Sequence, residues 1–193
     1  MTDLKKMFLG AALAIGFTPL LAQEPWDPHL KLTAGLMNNA ESNYIGQNKV
    51  YGVTLAGAYP LFTIHGSGIL EFGFKTFPTA AVSDGSLTFD DQTDVYFASA
   101  MYRHDLWRNG IYVQGGLRVT NAKTVRDMIY LGVGEKVTIK GSRETRAGWC
   151  FGAGYRLTDL WSFEVGASSA GLKNVGGKSV TGTIFEIALC IHR

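Results

Sequence analysis

The sequence has only two cysteines in 193 residues, Cys150 and Cys190, and no Cys-x-x-Cys pair. A disulfide scaffold is therefore excluded, although one bridge between the two remains open. Charge is also scarce: Asp, Glu, Lys and Arg make up 18% and the net charge is +2, so no broad basic surface offers itself to nucleic acid. Beyond the first 22 residues, no apolar run approaches the roughly 20 residues that a helix needs to cross a bilayer. Glycine, by contrast, is plentiful at 24 residues. It follows no collagen-like period, and small residues inside a narrow barrel account for it better.

The N-terminus reads as an address. Lys5 and Lys6 precede an apolar run from Met7 to Leu21 that only Thr18 and Pro19 interrupt, and Ala22 stands before the polar Gln23-Glu24. This is the pattern of a cleaved secretory signal peptide over 1–22, leaving 23–193 as one domain. An exported chain without spanning helices is either soluble outside the cytoplasm or crosses a membrane as a closed barrel of strands. No other arrangement satisfies its backbone polar groups in lipid.

The mature chain alternates with period two, and eight segments have the length and alternation of barrel strands. They run at about 29–38, 49–59, 68–77, 93–103, 110–120, 144–157, 161–170 and 181–192. In the fifth, Ile111, Val113, Leu117 and Val119 oppose Tyr112, Gln114, Gly116 and Arg118. In the eighth, Phe185, Ile187, Leu189 and Ile191 oppose Glu186, Ala188, Cys190 and His192. The fourth is apolar or small on both faces, and its inward side is left unassigned. The connections alternate long and short, the asymmetry of a barrel with short periplasmic turns and longer outer loops. Trp26, Tyr59, Trp107 and Trp161 fall beside what would be the periplasmic ends of the strands, where amphipathic rings suit a membrane interface.

Two stretches carry a resemblance: Gly110-Ile111-Tyr112-Val113-Gln114-Gly115-Gly116-Leu117, and Gly152-Ala153-Gly154-Tyr155-Arg156-Leu157-Thr158-Asp159 continuing through Trp161 to Glu164-Val165-Gly166. They resemble the second half of the small outer-membrane barrels, the superfamily of the transmembrane domain of outer membrane protein A and of outer membrane protein X. The resemblance implies an all-β, eight-stranded antiparallel up-and-down transmembrane barrel, and implies little about activity. Such barrels usually end on an aromatic residue read during assembly, whereas this sequence ends Ile191-His192-Arg193.

Alternation turns Lys31, Glu71, Lys75, Arg118, Arg156, Glu164 and Glu186 inward, where opposite charges must pair. These residues are expected to form a structural network that closes the lumen. The connection 121–143 contains alternating pieces of its own, Met128 to Leu131 and Lys136 to Lys140, and should continue strands five and six as a protruding hairpin. Asp84-Gly85 can turn the second outer loop in the same way. Asp90, Asp91 and Asp94 form an acidic patch whose spacing matches no calcium loop. His65-Gly66-Ser67 superficially resembles the His-x-Ser arrangement of lipid A deacylases, but it sits in a short turn and no suitably spaced glutamate supports it. No catalytic, cofactor or metal residue is assigned.

The expectation is a monomeric outer-membrane barrel in contact with lipid. It would serve envelope integrity or surface interaction, with 121–143 open to an extracellular partner. A soluble lipocalin-like barrel binding an apolar ligand is the alternative, and a lipid-modifying enzyme comes third.

Overall fold

The computed structural model describes residues 27–39, 49–60, 66–77, 81–84, 87–106, 110–130, 132, 134–173 and 179–193. The signal-peptide segment 1–22, Trp26, His65 and Trp107 lie outside the described residues. The strands are β1 (Asp27–Asn39), β2 (Lys49–Pro60), β3 (Gly66–Phe77), β4 (Ala81–Asp84), β5 (Leu87–Asp105), β6 (Ile111–Tyr130), β7 (Lys136–Arg156), β8 (Trp161–Lys173) and β9 (Ser179–His192). All pair antiparallel with their neighbours. The first and last strands join in register from His29 opposite His192 to Asn39 opposite Gly182. The ladder between β3 and β5 completes the ring. The result is a closed eight-stranded antiparallel barrel of β1, β2, β3, β5, β6, β7, β8 and β9, with β4 appended to β5 outside the ring.

The barrel is apolar outside and polar inside. Each of its eight strands sends a large exposed side chain outward: Leu36, Tyr51, Phe72, Tyr96, Leu117, Phe151, Val165 and Ile187. Leu117 is 73% exposed and Phe72 60%. Inside, Lys31, Glu71, Lys75, Arg103, Arg118 and Glu164 are all buried. β5, ambiguous in sequence, buries Val95, Phe97, Ser99, Met101 and Arg103 and exposes Tyr96 and Tyr102. One end of the lumen is sealed by an apolar layer that includes Met37, Val50, Phe77, Val95 and Ile184.

The short connections 61–65, 106–110 and 157–160 share one end, and the strands overrun the barrel at the other. There β5, β6 and β7 rise past Phe77, the top of β3, and β4 pairs with β5 from Ala81 opposite Asp90 to Asp84 opposite Leu87. A β4-β5-β6-β7 sheet thus projects from the barrel. Asp90, Asp91 and Asp94 fall inside β5 rather than in a loop, because that strand starts at Leu87. Above Cys150, β7 has no backbone partner in β8: their ladder begins at Cys150 opposite Ser168.

Glycine makes room for aromatic rings across the ladder. Gly73 lies opposite Phe97 and Gly154 opposite Tyr112. In each pair the ring lies over the glycine so closely that an added Cβ would collide with it. Both rings point into the lumen, so a side chain at either glycine displaces the ring instead of meeting solvent. Overpacking of this kind costs about 1–3 kcal/mol. Gly154→Val should lower the unfolding free energy of the refolded barrel by that amount, read as a lower urea midpoint, and an unchanged midpoint would show that the Tyr112 ring has slack.

Candidate functional site: the lumen ion chain and the histidine cluster

The buried charges form one alternating chain along the lumen. Lys75 pairs with Glu186, and Glu186 lies 3.6 Å from Arg118. Arg118 reaches Glu71 at 3.1 Å, Glu71 meets Lys31 at 2.5 Å, Lys31 meets Glu164 at 2.7 Å, and Glu164 lies 3.4 Å from Arg103. Every carboxylate here has a cation on each side, the condition under which buried charge is tolerable. Neutral groups complete the set: the Tyr112 hydroxyl donates to Glu164 at 2.7 Å, Gln114 donates to Glu164 at 2.9 Å, and the Arg118 Nε donates to Ser99 at 2.8 Å. Aromatic faces take up the cations as well, with Arg118 4.3 Å from the Phe97 ring centroid and Arg103 4.1 Å from that of Tyr112.

Of the residues assigned inward from the sequence, Lys31, Glu71, Lys75, Arg118, Glu164 and Glu186 lie in this chain. Arg156 does not. It is largely exposed at the barrel mouth, 3.8 Å from Asp27. Its parity is inward, but it ends β7, where the lumen has opened. Arg103, absent from the sequence assignment, ends the chain instead. Tyr59 and Trp161 are exposed on the outer face at the short-turn end. Cys150 and Cys190 are buried free thiols. A cavity of about 30 Å³ beside Lys31, Glu71, Arg118 and Cys150 has room for about two water molecules. It is an order of magnitude below the roughly 300 Å³ at which small-molecule pockets begin.

A second cluster occupies the short-turn end. His29 and His192 are cross-strand partners in the closing ladder, and both are buried. Their rings stack with centroids 4.8 Å apart. The carbonyl oxygen of Asp27 lies 3.3 Å from His29 Nδ1. His192 Nε2 lies 2.8 Å from Ser162 Oγ, and His192 Nδ1 lies 3.5 Å from Asp27 Oδ2. Ser162, His192 and Asp27 thus follow the hydroxyl, imidazole, carboxylate order of a hydrolase triad. Ser162, however, is 0% exposed, and Tyr112 stands 3.4 Å from its hydroxyl. In this conformation no acyl carbon can approach it. The alternation in sequence placed His192 on the face opposite Ile191 but gave no sign that His29, Ser162 and Asp27 would meet it. Its one His-x-Ser candidate falls elsewhere, with Gly66 and Ser67 starting β3.

In the projecting sheet, β6 and β7 slip register between Lys123 and Val125. Gly141 and Ser142 form the bulge. Residues directly opposite one another share a face, so the pairs Lys123 with Arg143 and Val125 with Lys140 put Lys140 and Arg143 on the same side. Strict alternation would have separated them. Asp127 lies on this face too, opposite Thr138. Hydrogen bonds from Lys136 at 2.8 Å and Thr138 at 2.6 Å hold its carboxyl below the usual carboxylate range.

The chain matches no protein-family model and no curated protein sequence. Solved structures do share its fold. Neisserial surface protein A superposes with a TM-score of 0.57 at 10% identity, covering 86% of this chain and 96% of that one. Ail, the attachment invasion locus protein of Yersinia pestis, superposes at 0.53 with 10% identity, covering 87% and 97%. Its complex with the heparin analogue sucrose octasulfate gives 0.55 at 9% identity, with the same coverage. The chain has the fold of the small eight-stranded outer-membrane barrels.

Glu164 is the hub of the ion chain, accepting from Lys31, Tyr112 and Gln114 and pairing with Arg103. Glu164→Ala leaves buried Arg103 without a carboxylate and Lys31 with Glu71 alone, and should cost about 3–5 kcal/mol. Urea unfolding of the refolded barrel measures this. A loss below 1 kcal/mol would mean that the lumen rearranges around the gap.

Proposed function

We propose that this protein is an outer-membrane β-barrel that presents its β4-β5-β6-β7 sheet as a surface interaction module, serving adhesion or envelope integrity. The observation that carries the reading is the inverted polarity of a closed barrel: a belt of large apolar side chains faces outward on all eight strands while charge fills the interior. In water that belt would be a continuous exposed apolar surface, and lipid removes the penalty. A soluble ligand-binding barrel needs the reverse arrangement and a larger cavity. The short connections then face the periplasm, and the projecting sheet faces outward.

Two features support binding by that sheet. Above Trp149, whose backbone Ser169 caps, the β7 edge has no ladder partner in β8 among the described residues, a template for strand addition. On β6 and β7 the face shared by Lys123, Lys136, Lys140 and Arg143 carries Asp127 in opposition, and β5 brings Asp94 and Asp90 beside Lys123 and Asp127, so the β6–β7 part of this face is the cationic one and suits an anionic partner. Ail, a protein of the same fold, has been crystallised with a sulfated heparin analogue, in keeping with a polyanion as partner class here.

Heating tests the location. The protein should partition with the outer-membrane fraction and change gel mobility on boiling. Recovery in the soluble periplasmic fraction without a shift would remove the membrane reading. Replacement of 125–140 by a short turn tests the module. The boiling shift should persist, while retention on immobilised heparin and attachment to host cells fall at least tenfold. Retention by wild type should also weaken with salt. Undiminished attachment would place the binding surface elsewhere.

A further inference from the structure

We propose that Asp27, His29 and His192 form a divalent transition-metal site at the short-turn mouth of the barrel, with zinc as the best-fitting ion. The site follows from the closing ladder. His29 and His192 are directly opposed, and Asp27 lies two residues before His29, so strand periodicity puts all three on the inward face. One donor atom from each falls within 4.8 Å of the others. Two nitrogens and a carboxylate oxygen are a donor set that zinc accepts, leaving a fourth position for solvent.

The orientation of the rings is the second, independent observation. A carbonyl oxygen can only accept, so the contact with Asp27 O puts the His29 proton on Nδ1 and leaves a lone pair on Nε2. His192 Nε2 can donate to Ser162 Oγ, which leaves a lone pair on Nδ1. His29 Nε2 is buried and hydrogen-bonded to no described residue, and buried His192 Nδ1 faces only the Asp27 carboxylate, 3.5 Å away. Metal-bound histidines are typically held this way, with the second nitrogen anchored to an oxygen acceptor. The backbone N–H of His192 is itself tied to the Leu160 carbonyl at 2.8 Å. Asp27 is 36% exposed at the rim, which gives an ion a path from solvent. Tetrahedral coordination brings donors to about 3.3 Å apart. The side chains must therefore close around the ion, which Asp27 can do by rotating away from Arg156. This inference depends on the barrel's closure and not on the membrane or adhesion reading.

The test uses the tag-free full-length barrel refolded in detergent, titrated with cobalt(II) as a spectroscopic probe and then with zinc. The expected result is one equivalent of cobalt with visible ligand-field bands, displaced by zinc. His29→Gln, His192→Gln and Asp27→Asn should each weaken zinc binding at least tenfold while preserving the boiling shift. In the wild-type protein, zinc should protect His29 and His192 from diethyl pyrocarbonate, read by mass spectrometry, and leave the exposed His104 reactive. That readout stands if a histidine variant fails to fold. No cobalt spectrum from the wild-type barrel, equal protection of His104, or undiminished zinc affinity in Asp27→Asn together with a foldable histidine variant would each overturn the proposal.

Discussion

Everything in this molecule depends on the ladder between β1 and β9. A sheet with free edges would leave two rows of backbone donors and acceptors open. Pairing from His29 opposite His192 to Asn39 opposite Gly182 removes those edges. Closure at eight strands also sets the bore, which is just wide enough for side chains to fill. The narrow bore then dictates what the lumen can contain. Rings such as Phe97 and Tyr112 fit only because glycine faces them across the ladder, and charges fit only when each has a partner.

The ion chain is the other consequence of that bore. Seven charged groups in alternating sign, from Lys75 to Arg103, connect β3, β9, β6, β1, β8 and β5 through the interior. An apolar core would give comparable stability with less risk. What the chain adds is registration. A one-residue slip of any of these strands turns its charge into the apolar exterior, so the network disfavours misregistered barrels strongly.

Much of this was legible in the residues. Alternation located all eight barrel strands, and it put Lys31, Glu71, Lys75, Arg118, Glu164 and Glu186 inside because each sits among apolar or small neighbours of opposite parity. Where contrast fails, so does the reading. β5 alternates Val95, Phe97, Ser99 and Met101 with Tyr96, Ala98 and Ala100, so neither face stands out, and Arg103 went unassigned with it. Arg156 shows a different limit: parity gives direction but not height, and at the mouth an inward residue reaches water. The histidine cluster is further still from local pattern. His29 and His192 sit near opposite ends of the chain, and only the register of the closing ladder makes them neighbours.

The two ends of the lumen differ in kind, and that difference bears on where chemistry can occur. At the end away from the short turns, Met37, Val50, Phe77, Val95 and Ile184 form a buried apolar layer. At the other end the lining is Asp27, His29, Ser162 and His192, and Asp27 reaches solvent. Asp27 thus gives an ion or proton a path from solvent to the polar interior at the short-turn side. The projecting sheet lies beyond that layer, on β4 and on extensions of β5, β6 and β7 that hold none of the ion chain's residues. The projecting sheet and the histidine mouth are thus separated by a buried apolar layer. The bulge at Gly141 sharpens the division, since it turns Lys136 and Lys140 onto the face of Arg143 without shifting the register of β7 below it. The sheet can vary its surface while the ladder that closes the barrel stays fixed.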